Sequence, residues 1–102
     1  MVLYKVTISH RADQDLEEIY TSSLDRWNFS ETHTYVMGIT EKIFSLDQMP
    51  QRIGFDFHTR SELTFRSFEH KAHKVFFTID EDSETVNIVA VLPSRTKYSA
   101  KL

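Results

Sequence analysis

The sequence predicts an α+β domain in the order β-α-α-β-β-β, with an N-terminal helical hairpin packed on one face of a small, mainly antiparallel sheet. Three observations predict it. Apolar residues alternate with polar ones over 2–9, then recur every three or four residues from Ala12 onward, so the period changes from strand to helix. Three later segments, 62–69, 73–80 and 85–92, are rich in β-branched and aromatic residues and are separated by short polar turns. The chain has 102 residues, 40% of them hydrophobic, which is enough for one core and too few for two.

Each element has its own local reason. In 2–9 the side chains of Tyr4, Val6 and Ile8 fall opposite Lys5, Thr7 and Ser9, the pattern of a half-buried strand. Ser9 is then placed to cap a helix whose inner face is Ala12, Leu16, Ile19, Tyr20, Ser23 and Trp27. Asp13, Gln14, Glu17, Thr21 and Asp25 point outward, and acids in the first turns suit the positive end of the helix dipole. Asn28-Phe29 interrupt the pattern. Ser30 is expected to cap a second helix carrying Tyr35, Val36, Ile39, Ile43 and Leu46 inward, ended by Pro50. Residues 51–61 read as a loop turning at Gly54. In the sheet that follows, Val75, Phe77, Ile79, Val86, Ile88, Ala90 and Leu92 are expected under the helices. Phe68, Phe76, Val89 and Val91 are then left on the opposite face, to be covered by the C-terminal tail or by a partner.

Composition excludes several classes. With no cysteine there is no disulfide framework, no thiolate zinc site and no thiol catalysis. No apolar run reaches the roughly 18 residues of a membrane helix, and the N-terminus has no signal-peptide pattern, so the expected location is the cytoplasm. The net charge of −3 is unevenly spread. Residues 1–50 hold four Lys/Arg against eight Asp/Glu, whereas no acid follows Glu84 and Arg95, Lys97 and Lys101 do. That basic tail is either a solvated C-terminus or an arm for an acidic partner.

The ordered set of motifs resembles the RelE/ParE superfamily of toxins from type II toxin–antitoxin systems. Ala12-Asp13-Gln14-Asp15-Leu16-Glu17-Glu18-Ile19 resembles the start of the family's first helix, and Arg26-Trp27-Asn28 resembles the Arg-Trp-Gly at its end. Leu46 to Met49-Pro50 and Gly54 resemble the close of the second helix. Arg66-Ser67-Phe68, His73-Lys74-Val75-Phe76-Phe77 and Ile88 to Leu92 with Pro93-Ser94-Arg95 resemble the strands of the family's sheet. Asn28, Phe77 and Pro93 stand where the family usually has Gly, Tyr and His. The resemblance spans nearly the whole chain and implies a single toxin domain over 1–102, with a cognate antitoxin as partner and no cofactor. Its long paired helices and low basicity resemble the ParE branch, which implies inhibition of DNA gyrase and a role in plasmid stabilisation or growth regulation. The alternatives are a RelE-like endoribonuclease that cuts mRNA on the ribosome and a degenerate, non-toxic member that keeps only antitoxin binding.

Metal-free RNA cleavage needs a base for the 2′-hydroxyl, a cation for the phosphorane and an acid for the leaving oxygen. Arg66, Arg95 and Tyr98 are the candidates, with His73 and Glu69 behind them. If the protein binds a target instead, Arg66, Arg95, Lys97 and Tyr98 form the expected contact set, and Phe68, Phe76, Val89 and Val91 the antitoxin-binding patch. Each has a plainer alternative: Arg66 a cross-strand ion pair, Glu69 an exposed turn, His73 a structural role. His70-x-x-His73 lacks a third ligand, so no metal is expected. Trp27 is expected as a core anchor at the end of the first helix.

Overall fold

A computed structural model describes residues 3–52, 55–58 and 64–94 of the chain. Strand β1 (Lys5–Ile8) leads into helix α1 (His10–Leu24) and helix α2 (Phe29–Phe44). Two 3-10 turns, Ser45–Asp47 and Pro50–Arg52, carry the chain to β2 (Phe55–His58), β3 (Thr64–His70), β4 (His73–Asp80) and β5 (Thr85–Pro93). The five strands form one sheet in the order β1-β5-β4-β3-β2. Only β1 runs parallel to its neighbour, from Lys5 opposite Thr85 to Ile8 opposite Ile88.

The α+β layering is as expected, with one strand more. β2 lies in the stretch read as a loop; its Phe-Asp-Phe-His alternates over only four residues, too few to stand out in the sequence, and it exists because β3 supplies a ladder for it. Helix caps follow ordinary chemistry. The Ser9 hydroxyl accepts from the Ala12 amide at 3.0 Å, starting α1. At α2 the cap is Asn28, whose side chain accepts from the Glu31 amide at 2.8 Å. Ser30 is therefore inside the helix, because Asn28 satisfies the free amides two residues earlier.

The main core lies between the helices and the sheet. Ala12, Ile19, Tyr35, Ile39, Ile43 and Leu46 pack against Val75, Phe77, Val86, Ile88 and Val91. The expected allocation of β5 side chains fails after Ile88, for a local reason. Phe77 stands opposite Ile88 but Phe76 stands opposite Ala90, so Val89 is an extra residue in β5, a β-bulge. One inserted residue inverts every later position in a structure of period two. Val91 consequently turns toward the helices, while Ala90 and Leu92 join Phe65 and Phe76 in a second cluster on the other face, with Val89 against it.

The bulge is held from outside the sheet. β1 stops at Ile8, opposite Ile88, leaving the next part of β5 without a neighbouring strand there. The Ser9 hydroxyl donates to the Val89 carbonyl at 3.0 Å, and the Val91 amide donates to the Asp15 carboxylate of α1 at 2.9 Å. Pro93 has no amide to offer. The exposed edge of β5 is thereby closed to strand addition at those groups, and α1 is pinned to the sheet.

Candidate functional site

Four pieces of chain meet at one corner: the α1–α2 joint, the middle of α2, the β3–β4 turn and the end of β5. Trp27 closes the joint, its ring 5.4 Å from that of Tyr35. It is 40% exposed, so it caps the edge of the core and is not the buried anchor expected. His70 and His73 face each other in register across the β3–β4 turn and both point to α2. The Tyr35 hydroxyl and His73 Nδ1 share a 2.7 Å hydrogen bond, and the same hydroxyl lies 3.4 Å from the His70 carbonyl. Lys71, in the left-handed conformation at φ 53°, turns the hairpin and holds its ammonium 5.8 Å above the Tyr35 ring. At the end of β5 the Ser94 amide donates to the Ala72 carbonyl at 2.9 Å, so β5 finishes beside the same turn.

Gly38 makes this packing possible. A Cβ there would sit 3.1 Å from both Cε1 and Nε2 of His70, so the imidazole rests where any other residue would carry a side chain. Burial pushes both imidazoles below the ordinary histidine range; Lys42 and Lys71 push His70 further, and His70 does the same to His73. Burial raises the Tyr35 hydroxyl. Both histidines are therefore neutral at physiological pH, and His73 has one nitrogen committed to Tyr35.

Two concave surfaces flank the corner. A cavity of about 500 Å³ opens between Trp27, Tyr35, Gly38, His70 and Lys71. A longer groove of about 740 Å³ runs between α1 and β5 with Ile19, Val91 and Leu92 in its lining, and Asp15, Glu17, Glu18 and Asp25 give it an acidic character.

Among the described residues, those singled out from sequence do not converge. Arg66 stands opposite Phe77, four residues along β4 from His73, or about 13 Å of strand. Its Nη2 donates to the Gln51 carbonyl at 2.8 Å, tying β3 to the second 3-10 turn. Glu69 pairs with Lys74 at 3.5 Å across the hairpin and, by strand alternation, lies on the face opposite Arg66. Arg95, Lys97 and Tyr98 lie outside the described residues. The four apolar residues expected to share the second face are divided: Phe68 and Val91 belong to the helix-side core, Phe76 and Val89 to the other cluster. Phe76 is wholly buried and Val91 is 2% exposed, so neither offers surface to a partner. Among the described residues no group of three or more His, Asp or Glu gathers as a metal site would require.

Sequence reasoning passed over Tyr35 as one more core aromatic and did not use Gly38, although a glycine in mid-helix is itself a signal of close approach. It also passed over a polar corner at the far end of the sheet. There Tyr4 donates to Glu81 at 2.6 Å and Gln51 donates to Tyr4 at 2.7 Å. The bond from Tyr4, with a further one that Gln51 donates to Glu81 at 3.0 Å, holds the Glu81 carboxyl below its ordinary range, and the bond to Glu81 raises the Tyr4 hydroxyl.

The sequence matches the family model described as ParE toxin of type II toxin-antitoxin system, parDE, over residues 6–98. Among solved structures it is similar to the toxin–antitoxin complex RelBE2 of Mycobacterium tuberculosis, at 21% identity and a TM-score of 0.69, covering 94% of this chain and 97% of that one. It is similar also to the chromosomal ParDE system of P. aeruginosa, at 17% identity and a TM-score of 0.71, covering 89% and 96%. A mutant of the E. coli toxin RelE in its free state aligns at 11% identity and a TM-score of 0.66, covering 98% and 93%. At these identities the likeness is one of fold. No curated protein matches significantly.

Proposed function

The chain belongs to the ParE toxin family of type II toxin–antitoxin systems, and from that premise we propose that it acts by binding: it inhibits DNA gyrase and is neutralised by a cognate antitoxin encoded beside it. The observation that carries this reading is the dispersal of the nucleolytic candidates that lie among the described residues. Arg66 is engaged with the Gln51 carbonyl, Glu69 faces the other side of the sheet, and His73 is neutral and bonded to Tyr35. Proton transfer and phosphorane stabilisation need such groups around one point. The solved RelBE2 assembly is a toxin–antitoxin complex, which supports an antitoxin partner here. Exposed apolar side chains supply surface for it. Phe29 is 66% exposed on α2, which also presents Met37 and Phe44.

Purified toxin, released from its co-expressed antitoxin, is expected to block gyrase supercoiling and leave translated mRNA intact. Arg95→Ala is expected to abolish or sharply reduce toxicity with the melting temperature nearly unchanged, because a planar guanidinium fork can hold a carboxylate or phosphate in one orientation. A second reading has one local observation in its favour. Ser94, just after β5, is bonded to the turn that leads into His73, which supports a RelE-like endoribonuclease using Arg66, Arg95 and Tyr98. Codon-phased cuts found by primer extension, with gyrase unaffected, would establish that reading instead. Harmless expression with retained antitoxin binding would mark a non-toxic member.

A further inference from the structure

The antitoxin reading above is the basis of this inference, which adds one contact to it. We propose that the cavity at the hairpin corner is an anchor pocket for an acidic segment of the antitoxin. That segment sets an apolar side chain against Trp27 and Tyr35 and lays carboxylates beside Lys71 and Lys42.

Shape, lining and charge each support the assignment. At about 500 Å³ the cavity is within the size range of specific binding pockets, and Trp27, Tyr35 and His70 give it an aromatic side. Gly38 and the His70 ring packed against it both line the cavity. Trp27 at its mouth is 40% exposed, a large apolar surface left beside a hollow. Tryptophan and tyrosine set around a pocket are the residues that most often carry interface energy.

Charge selects the occupant. Lys71 lines the pocket, and Lys42 stands one helical turn beyond the lining residue Gly38 on α2. Glu31 is the one acid among the described lining residues. The neighbouring groove between α1 and β5 is lined by Asp15, Glu17, Glu18 and Asp25, and the whole chain carries a net charge of −3. An acidic segment is therefore repelled along the groove and drawn to this corner, where a carboxylate meets ammonium groups beside an apolar hollow. A basic segment would be steered the opposite way.

Trp27 is the only tryptophan, so its fluorescence reports on the pocket directly. Toxin and antitoxin would be co-expressed, separated and recombined, and the dissociation constant measured for the wild type and three variants. Lys71→Glu reverses the charge on an exposed turn, and Thr34→Phe fills the rim from an exposed helix position. Lys5→Glu makes the same charge change at the exposed first residue of β1, away from the pocket. The expected result is a blue shift of Trp27 on binding, at least about tenfold weaker binding by Lys71→Glu and by Thr34→Phe, and under about twofold change for Lys5→Glu. Melting temperatures measured alongside show that the variants fold. Wild-type affinity in both pocket variants overturns the anchor pocket while leaving antitoxin binding in place. Tighter binding by Lys71→Glu overturns it in favour of a basic segment. A Trp27 response to an RNA oligonucleotide with none to the antitoxin overturns it in favour of nucleic acid. Failure of the wild-type chains to associate overturns the antitoxin reading itself.

Discussion

Asp15→Ala tests the physical account of how α1 is fastened to the sheet. The Asp15 carboxylate, 16% exposed, accepts from the Val91 amide at 2.9 Å just beyond the bulge, where β1 has ended and that side of β5 has no strand to bond. Val91 is 2% exposed, so truncation leaves a largely buried amide without its acceptor. A hydrogen bond to a charged group contributes about 1.5–3 kcal/mol, and a buried donor left unmet costs a similar amount. The expected loss is therefore about 2 kcal/mol, read as a lower urea midpoint at unchanged m-value. For a chain of this size that lowers Tm by roughly 8–16 °C. Asp15→Asn keeps an oxygen of the same shape and should lose about half as much. Hydrogen exchange at the Val91 amide should accelerate in the alanine variant ahead of its neighbours in β4. A loss below about 0.5 kcal/mol, or an asparagine variant as damaged as alanine, would refute the reasoning, since either result means that this bond does not hold the bulge.

Other outcomes follow from the same contacts. Gly38→Ala should show no net gain, although alanine favours a helix by about 1 kcal/mol, because its Cβ would press on His70; the same change in a His70→Ala background should recover that gain in urea unfolding. Phe76→Ala should cost about 3–5 kcal/mol, since the ring is wholly buried, whereas Phe29→Ala on the exposed face should stay within about 0.5 kcal/mol. His70 and His73 both titrate below the unfolded-chain value of 6.5. Stability is then fully present above that pH and is lost as pH falls from about 6.5 toward the depressed folded values, because the unfolded chain takes up protons first. Urea midpoints should be level from pH 8 to 7 and decline toward pH 5, and a His70→Gln, His73→Gln double variant should flatten that decline.

Much of the fold was legible because its signals are local. The change of period after Ser9, the inward set Ala12, Ile19, Ile39, Ile43 and Leu46, and the limits of β4 need only the sequence around them, and all are found in the structure. The family could be read for a related reason, since its motifs mark where elements begin and end. What failed were features that depend on distant chain. The cap moved from Ser30 to Asn28 within ordinary capping chemistry, but the face exposed by β5 could not be inferred from β5. The tract from Thr85 to Leu92 alternates acceptably in either phase, and the bulge at Val89 is selected by the Ser9 hydroxyl and the Asp15 carboxylate, more than 70 positions earlier.

The candidate site divides in the same way. The sequence alone determined which chemistry the chain carries: no thiol, two histidines three residues apart, one tryptophan, and an acidic first half against a basic tail. Only the tertiary structure decided which of those groups meet. A two-residue turn aimed both imidazoles at one helix, Gly38 left room for a ring, Tyr35 bonded the second histidine, and strand alternation put Glu69 and Arg66 on opposite faces. Backbone period and capping are encoded within a few residues, whereas a cavity is made by surfaces that become neighbours only when the helices close over the sheet.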